Sequence, residues 1–259
     1  MFLGQGLEFW LLAITVTLLI AMAKTAFGGI GAAIATPLLA LVMPVGDAAA
    51  LLLPLLIAGD ISAVYYYRQR FSAKHLKITL PAAMVGIILG SIFFKSLIHR
   101  ESLLKFSIGI IAIAFVMFQV LKPWLFAFLR KAPGPMAGIF WGAFSGFSST
   151  LAHVGGPPFS IYLLPQALPK DIFSGTNAVF FLIVNSLKLI PYALLGLLTI
   201  GKLPIIALLL LLIPLGARLG RWVNTWLSPY YFNLIVYVLL FLTGLQLILG
   251  KSLVQLLKF

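Results

Sequence analysis

The chain has no cysteine, only five carboxylates and only three histidines among its 259 residues. Without cysteine there is no disulfide framework and no thiolate metal site, and composition carries no signal of redox compartment. His75, His99 and His153 lie far apart, and Glu8, Asp47, Asp60, Glu101 and Asp171 are scattered. Metal-dependent or acid–base chemistry inside a membrane needs such groups clustered, so an enzyme, a metal and a cofactor are not expected. No G-x-x-x-x-G-K-[ST] run occurs, so ATP is not the direct energy source of this chain. The first eight residues lack a basic stretch and no small-residue cleavage site follows the first apolar run. That run is expected to be a retained helix, not a signal peptide.

Apolar residues are what the chain has: 62% of it is hydrophobic and 9% charged. Soluble domains are about half apolar and about a quarter charged. Runs near 20 residues, long enough to cross a bilayer as helices, follow one another from Leu7 to Leu249. Segments such as "LPIIALLLLLIPLGA" do not alternate, which excludes a membrane barrel. The fold class is therefore an all-α polytopic membrane protein with the bilayer as its solvent. The net charge of +13 reads as topogenic and not as a nucleic-acid footprint, because the 18 lysines and arginines sit mostly in short loops.

The expected pieces of the first half are Leu7–Ala26, Ile30–Met43, Asp47–Tyr67, Lys77–Lys95 and Ser102–Leu121. Those of the second are Pro135–Thr150, Pro157–Leu168, Asp171–Leu197, Leu203–Asn224 and Pro229–Leu249. The second piece of each half is too short to span unaided. Residues 1–121 and 135–259 form two expected repeats joined by a basic linker, 122–134. Gly28-Gly29 and Gly155-Gly156 lie 127 residues apart, as do Gln119 and Gln246. Elsewhere the register slips: Pro44 aligns with Pro169, placing Asp60 opposite Asn185, and Gly86/Gly90 align with Gly216/Gly220. Five crossings per half would make the repeats inverted, an architecture many secondary transporters share. The acid-free loop "YRQRFSAKHLK" is expected on the cytoplasmic side.

The paired glycines interrupt apolar sequence at corresponding places. Irregular backbone at membrane depth is tolerated only where protein or a water-filled cavity surrounds it. Paired breaks of this kind point to a transporter's binding site. Pro157 and Pro158 suit the first turn of a new helix, whose N-terminus favours anions. Close helix packing or a hinge is the competing reading of each glycine pair.

Thr25 precedes the first break and Ser148, Ser149 and Thr150 the second, where a hydroxyl either meets an oxyanion or bonds its own helix. His153 adjoins the second break. Ser174, Asn177, Asn185 and Lys188 form a polar stripe along one apolar span, expected to face protein or water. The candidate substrate-binding residues are thus Thr25, Gly28, Gly29, Thr150, His153, Gly155, Gly156, Asn177, Asn185 and Lys188. Lys24 and Asp60 are candidates for an internal charge pair or a coupling site. Asp47, Glu101 and Asp171 sit at segment ends, where a solvated or capping role is expected.

"FGGIGAAIATPLLAL" in the first half and "HVGGPPFSIYLL…LPKDIFSGTNAVFFLIVN" in the second resemble the TauE/SafE family of sulfite and organosulfonate exporters. The resemblance extends over nearly the whole chain. It implies a permease of the bacterial inner membrane for a small sulfur-containing anion, working by alternating access. In the first half "PVGDAAALL" replaces "PKDIFSGTN", a departure from the second-half pattern from which an asymmetric site is expected. The alternatives are a transporter of cations or other small solutes, and an accessory subunit without transport of its own.

Overall fold

A computed structural model describes residues 6–26, 30–67, 70–127 and 132–250, and among these there are helices and turns but no strand. In chain order the helices are α1 (Leu7–Ala26), α2 (Ala35–Leu39), α3 (Val45–Tyr67), α4 (Ala73–Leu97), α5 (Glu101–Ala127), α6 (Pro135–Ala152), α7 (Gly156–Leu163), α8 (Lys170–Leu194), α9 (Leu203–Leu210), α10 (Leu212–Val223) and α11 (Pro229–Leu249). Seven segments among the described residues are long and apolar enough to cross a membrane: α1, α3, α4, α5, α8, the α9–α10 run and α11. The chain is a multi-pass, all-helical membrane protein.

Local chemistry sets the helix ends. Pro135 and Pro229 open α6 and α11 after extended residues, where a missing N–H costs nothing. Gly250 closes α11 in the left-handed region, its N–H bonded to the Gln246 carbonyl. The run expected as one helix over Leu203–Asn224 is interrupted at Leu211. Pro214 explains this, because it offers no N–H to the carbonyl four residues earlier. Helix α5 continues through Ala127 with Pro123 inside it. The short second pieces are shorter still. Ile30–Ile34 is a 3-10 turn leading into α2, and α7 runs eight residues before another 3-10 turn. At about 1.5 Å per residue, α7 covers about 12 Å of a hydrocarbon layer about 30 Å thick.

Four helix pairs hold the bundle: α4 on α6, α1 on α10, α3 on α8 and α5 on α11. The first two are close crossings through small residues. A Cβ on Gly86 of α4 would lie 1.8 Å from the Ala143 carbonyl oxygen of α6. One on Gly216 of α10 would lie 2.7 Å from the Ala21 methyl of α1. In lipid, where apolar side chains gain little by meeting each other, such backbone proximity supplies the packing energy. Helix α3 is buried on all sides from Ala48 to Leu53, which makes it the centre of the bundle. Outward-facing residues on α4 such as Val85, Ile88, Leu89 and Ile92 are apolar, as a lipid-facing surface requires. Exposed Trp222, Trp226, Tyr230 and Tyr231 cluster at the α10–α11 corner beside exposed Arg218 and Arg221. That composition fits a membrane interface.

Candidate functional site

Helix α6 stops because His153 turns left-handed, with φ at 56° and its N–H bonded to the Ser149 carbonyl at 3.0 Å. Left-handed backbone is uncommon for a side chain of this size and marks a position fixed by its surroundings. The Ser145 hydroxyl donates to the Gly155 carbonyl at 2.7 Å, which ties down the far side of the turn. Gly155 has no room for a side chain: a Cβ there would meet Ser145, Ser149 and Phe181 within 2.9 Å. Its role is close packing.

His153 is thereby aimed into the bundle between α3 and α8. Its Nε2 lies 3.0 Å from the Ala49 carbonyl, an acceptor only, so Nε2 carries the hydrogen. Nδ1 is then the lone-pair nitrogen and accepts from the Lys188 ammonium at 2.7 Å. The same ammonium donates to the Ser149 carbonyl and hydroxyl, each at 3.0 Å. Lys188 is fully buried, and no carboxylate pairs with it among the described residues. All three of its acceptors are neutral.

One helical turn earlier on α8, Asn185 donates to Asp60 at 2.6 Å. The other Asp60 oxygen accepts from Lys24 of α1 in an ion pair whose side chains are about 10% and 4% exposed. Lys24 also donates to the Leu56 carbonyl at 3.2 Å. Asp60 therefore has both oxygens engaged and Lys24 is matched in charge. Two lysines thus meet one carboxylate in this interior, and Lys122 is a third lysine on the cavity wall.

A cavity of about 390 Å³ separates these groups. Lys24, Asp60, Ser149, His153, Gly156 and Asn185, all buried or half-buried, lie on its walls. Gln119, Lys122, Ser160, Ser174 and Asn177, all half-buried, line the rest together with Tyr67. These come from the C-terminal halves of α3, α5 and α7 and the N-terminal half of α8, the side of the basic α3–α4 connection. Apolar walls are supplied by Leu56, Phe115, Phe173 and Phe181.

At the α3–α4 side, Arg70 pairs with Asp171 at 2.6 Å and the Thr176 hydroxyl accepts from Ser72 N–H at 2.9 Å. At the opposite end, buried Lys202 donates to Asp47 at 2.5 Å and to the Leu197 carbonyl at 2.9 Å. There too Val45 N–H donates to Glu101 at 3.0 Å, capping α3 from another helix. Asp47 is thus paired with a buried lysine, while Asp171 stays exposed in the first turn of α8 and pairs with exposed Arg70 of the α3–α4 connection.

Of the residues singled out in the sequence, Lys24, Thr25, Asp60, His153, Gly156, Asn177 and Asn185 line the one cavity. Lys188 stands behind the wall and reaches it through His153 and Ser149. Thr150 does not face the cavity, because its hydroxyl bonds the Gly146 carbonyl and its own carbonyl accepts from Tyr192. Gly28 and Gly29 lie outside the described residues. The second break also offers fewer backbone donors than expected: Pro157 and Pro158 have none, and Phe159 N–H is bonded to the Gly155 carbonyl. Side-chain cations carry the positive charge instead. Among the described residues no three histidines or carboxylates gather as metal ligands. The Ala49 carbonyl is the partner that sequence reasoning missed, and Ser149 is weighed at the break but is not among the candidates. A backbone acceptor has no residue signature, and Ser149 was one hydroxyl in a run of three.

No curated protein and no solved structure matches the chain. The model of the TauE/SafE sulfite exporter family matches residues 13–247, which takes in all the cavity-lining groups described above. With a helical membrane fold and a match over nearly its whole length, the chain belongs to the TauE/SafE sulfite exporter family of membrane transporters.

Proposed function

We propose that this protein is a secondary transporter for a small anion, sulfite or an organosulfonate, with the cavity between α1, α3 and α8 as its substrate site. The observation that carries this reading is Lys188, a fully buried lysine whose hydrogen-bond partners are all neutral. An unpaired charge at membrane depth is expensive, and an anion held at the His153–Ser149 wall offsets that cost. Gly156, Asn177 and Asn185 are the further ligands of such an anion, with Asn177 free to donate because its amide makes no hydrogen bond among the described residues, while the Thr25 hydroxyl already donates to the Ala21 carbonyl at 2.8 Å. A cation is disfavoured. Asp60, the only carboxylate on the cavity wall, has both oxygens occupied.

Alternating access between two inverted repeats, residues 1–121 and 135–259, is the proposed mechanism, in a bacterial inner membrane. The helix pairing supports a duplicated origin: α1 packs on α10 while α4 packs on α6, and the aligned residues Asp60 and Asn185 meet each other. The cavity mouth on the side of the basic loop corresponds to a cytoplasm-facing state. No enzymatic step is assigned to the chain.

Thermal unfolding of the purified protein against sulfite, sulfate, methanesulfonate, acetate and alkali cations tests the reading. A ligand that binds only the folded state raises apparent stability by mass action. A selective rise with the sulfur oxyanions is expected. A rise with a cation and none with any anion would defeat the anion site.

A further inference from the structure

The Lys24 ammonium lines the cavity, yet its charge is already matched by Asp60. Any anion that enters meets Lys122, which no carboxylate pairs among the described residues, the His153–Ser149 wall behind which Lys188 stands, and Lys24, a lysine with a competitor attached. To use Lys24, it must displace Asp60. Asp60 would then be a buried carboxylate with only the Asn185 amide as donor. A carboxylate in that position is far more stable neutral than charged, and it neutralises by taking up a proton.

Resting on the anion site proposed above, we infer that Asp60 is an internal competitor for Lys24, so that the substrate anion loads together with one proton. The exchange balances. The anion takes the place of Asp60 on Lys24, the oxygen thus freed takes a proton through the cavity mouth, and the other oxygen keeps the Asn185 hydrogen bond. The site's net charge is the same before and after, so loading is electroneutral.

The charged and titratable groups around Asp60 are few. Lys24 faces it from α1, and Asn185 and Lys188 from α8, while His153 and Lys122 sit on other walls of the cavity. Of the further elements packed on α3, the α9 end brings Lys202, which is held by Asp47, and α10 brings Arg218 and Arg221, both exposed. His153 is not the proton acceptor in this scheme. Its Nε2 already donates to Ala49 and its Nδ1 already accepts from Lys188, and an anion on Lys24 frees neither nitrogen.

The test is titration of the full-length protein with methanesulfonate, which stays a monoanion from mildly acidic to mildly alkaline pH, with proton uptake measured in weak buffer. If a proton enters with the anion, affinity tightens as pH falls, by about tenfold per pH unit at full coupling, with about one proton absorbed per anion. In Asp60→Asn the competitor is permanently neutral. Its affinity should be independent of pH and at least as tight as that of the wild type at the acidic end, without proton uptake. Wild-type binding that is flat with pH and absorbs no proton overturns the inference while leaving the anion site standing. So does a variant that keeps the wild-type slope. Absence of methanesulfonate binding at every pH would defeat the anion site itself, and this inference with it. Should Asp60→Asn fail to fold, the wild-type proton count decides, and Lys24→Gln/Asp60→Asn, which removes both charges, should likewise bind without pH dependence.

Discussion

Lys24 on α1 lines the cavity and Lys188 on α8 stands behind its wall, and the two are partnered differently. Lys24 has a carboxylate, Asp60, and lies at the cavity surface. Lys188 has a histidine, a serine hydroxyl and a carbonyl, and lies behind the surface with no exposure at all. The first arrangement is closed in charge and contributes to holding α1, α3 and α8 together. The second is open in charge and is stable only because three hydrogen bonds replace hydration. A ligand has something to offer the second arrangement that the protein itself does not. It can approach the first only by competition.

This contrast predicts that the two lysines fail in different assays. Lys24→Met leaves Asp60 buried without its cation, and loss of one partner of a buried pair costs about 3–5 kcal/mol. A large fall in the unfolding midpoint without ligand is therefore expected. Lys188→Met leaves no orphaned charge. Its main effect should appear in binding, as about a hundredfold loss of methanesulfonate affinity by titration, corresponding to about 3 kcal/mol. If Lys188→Met unfolds the protein and Lys24→Met spares it, the assignment of the two lysines is reversed.

Smaller effects separate packing from binding among the glycines. Gly86→Ala drives a methyl into a backbone carbonyl at 1.8 Å, whereas Gly216→Ala meets another methyl at 2.7 Å. Overpacking costs about 1–3 kcal/mol, and the Gly86 variant should lie at the upper end and Gly216 at the lower in thermal unfolding. Gly156→Ala should be the mildest. A Cβ there meets nothing within 4 Å and projects from a residue on the cavity wall. Stability should change by less than about 0.5 kcal/mol while anion affinity falls a few-fold.

Much of this geometry was legible because in a membrane every polar residue needs a reason. The ends of α1 and α11 follow from interruptions in apolar sequence, and Lys24 and Asp60, two charges set in apolar segments, are found paired. What could not be read was side-chain direction. Thr150 and Ser149 are adjacent hydroxyls, yet one bonds back to its own helix and the other serves Lys188. Only the left-handed turn at His153 and the packing of α8 decide which is which. Ala49 was invisible for another reason: it contributes through its carbonyl, and the helix around it reads as core. The prolines after the second break were read as a helix start, correctly, but that same chemistry removed the backbone donors the site was expected to use.

The most direct test is uptake of radiolabelled methanesulfonate or sulfite into proteoliposomes containing the wild-type protein or Lys188→Met. Saturable accumulation by the wild type, abolished in a correctly folded Lys188→Met, is the predicted result. Anion uptake no faster than in empty vesicles, or uptake unchanged by loss of Lys188, would contradict the claim that an unmatched buried lysine draws the substrate anion into this cavity.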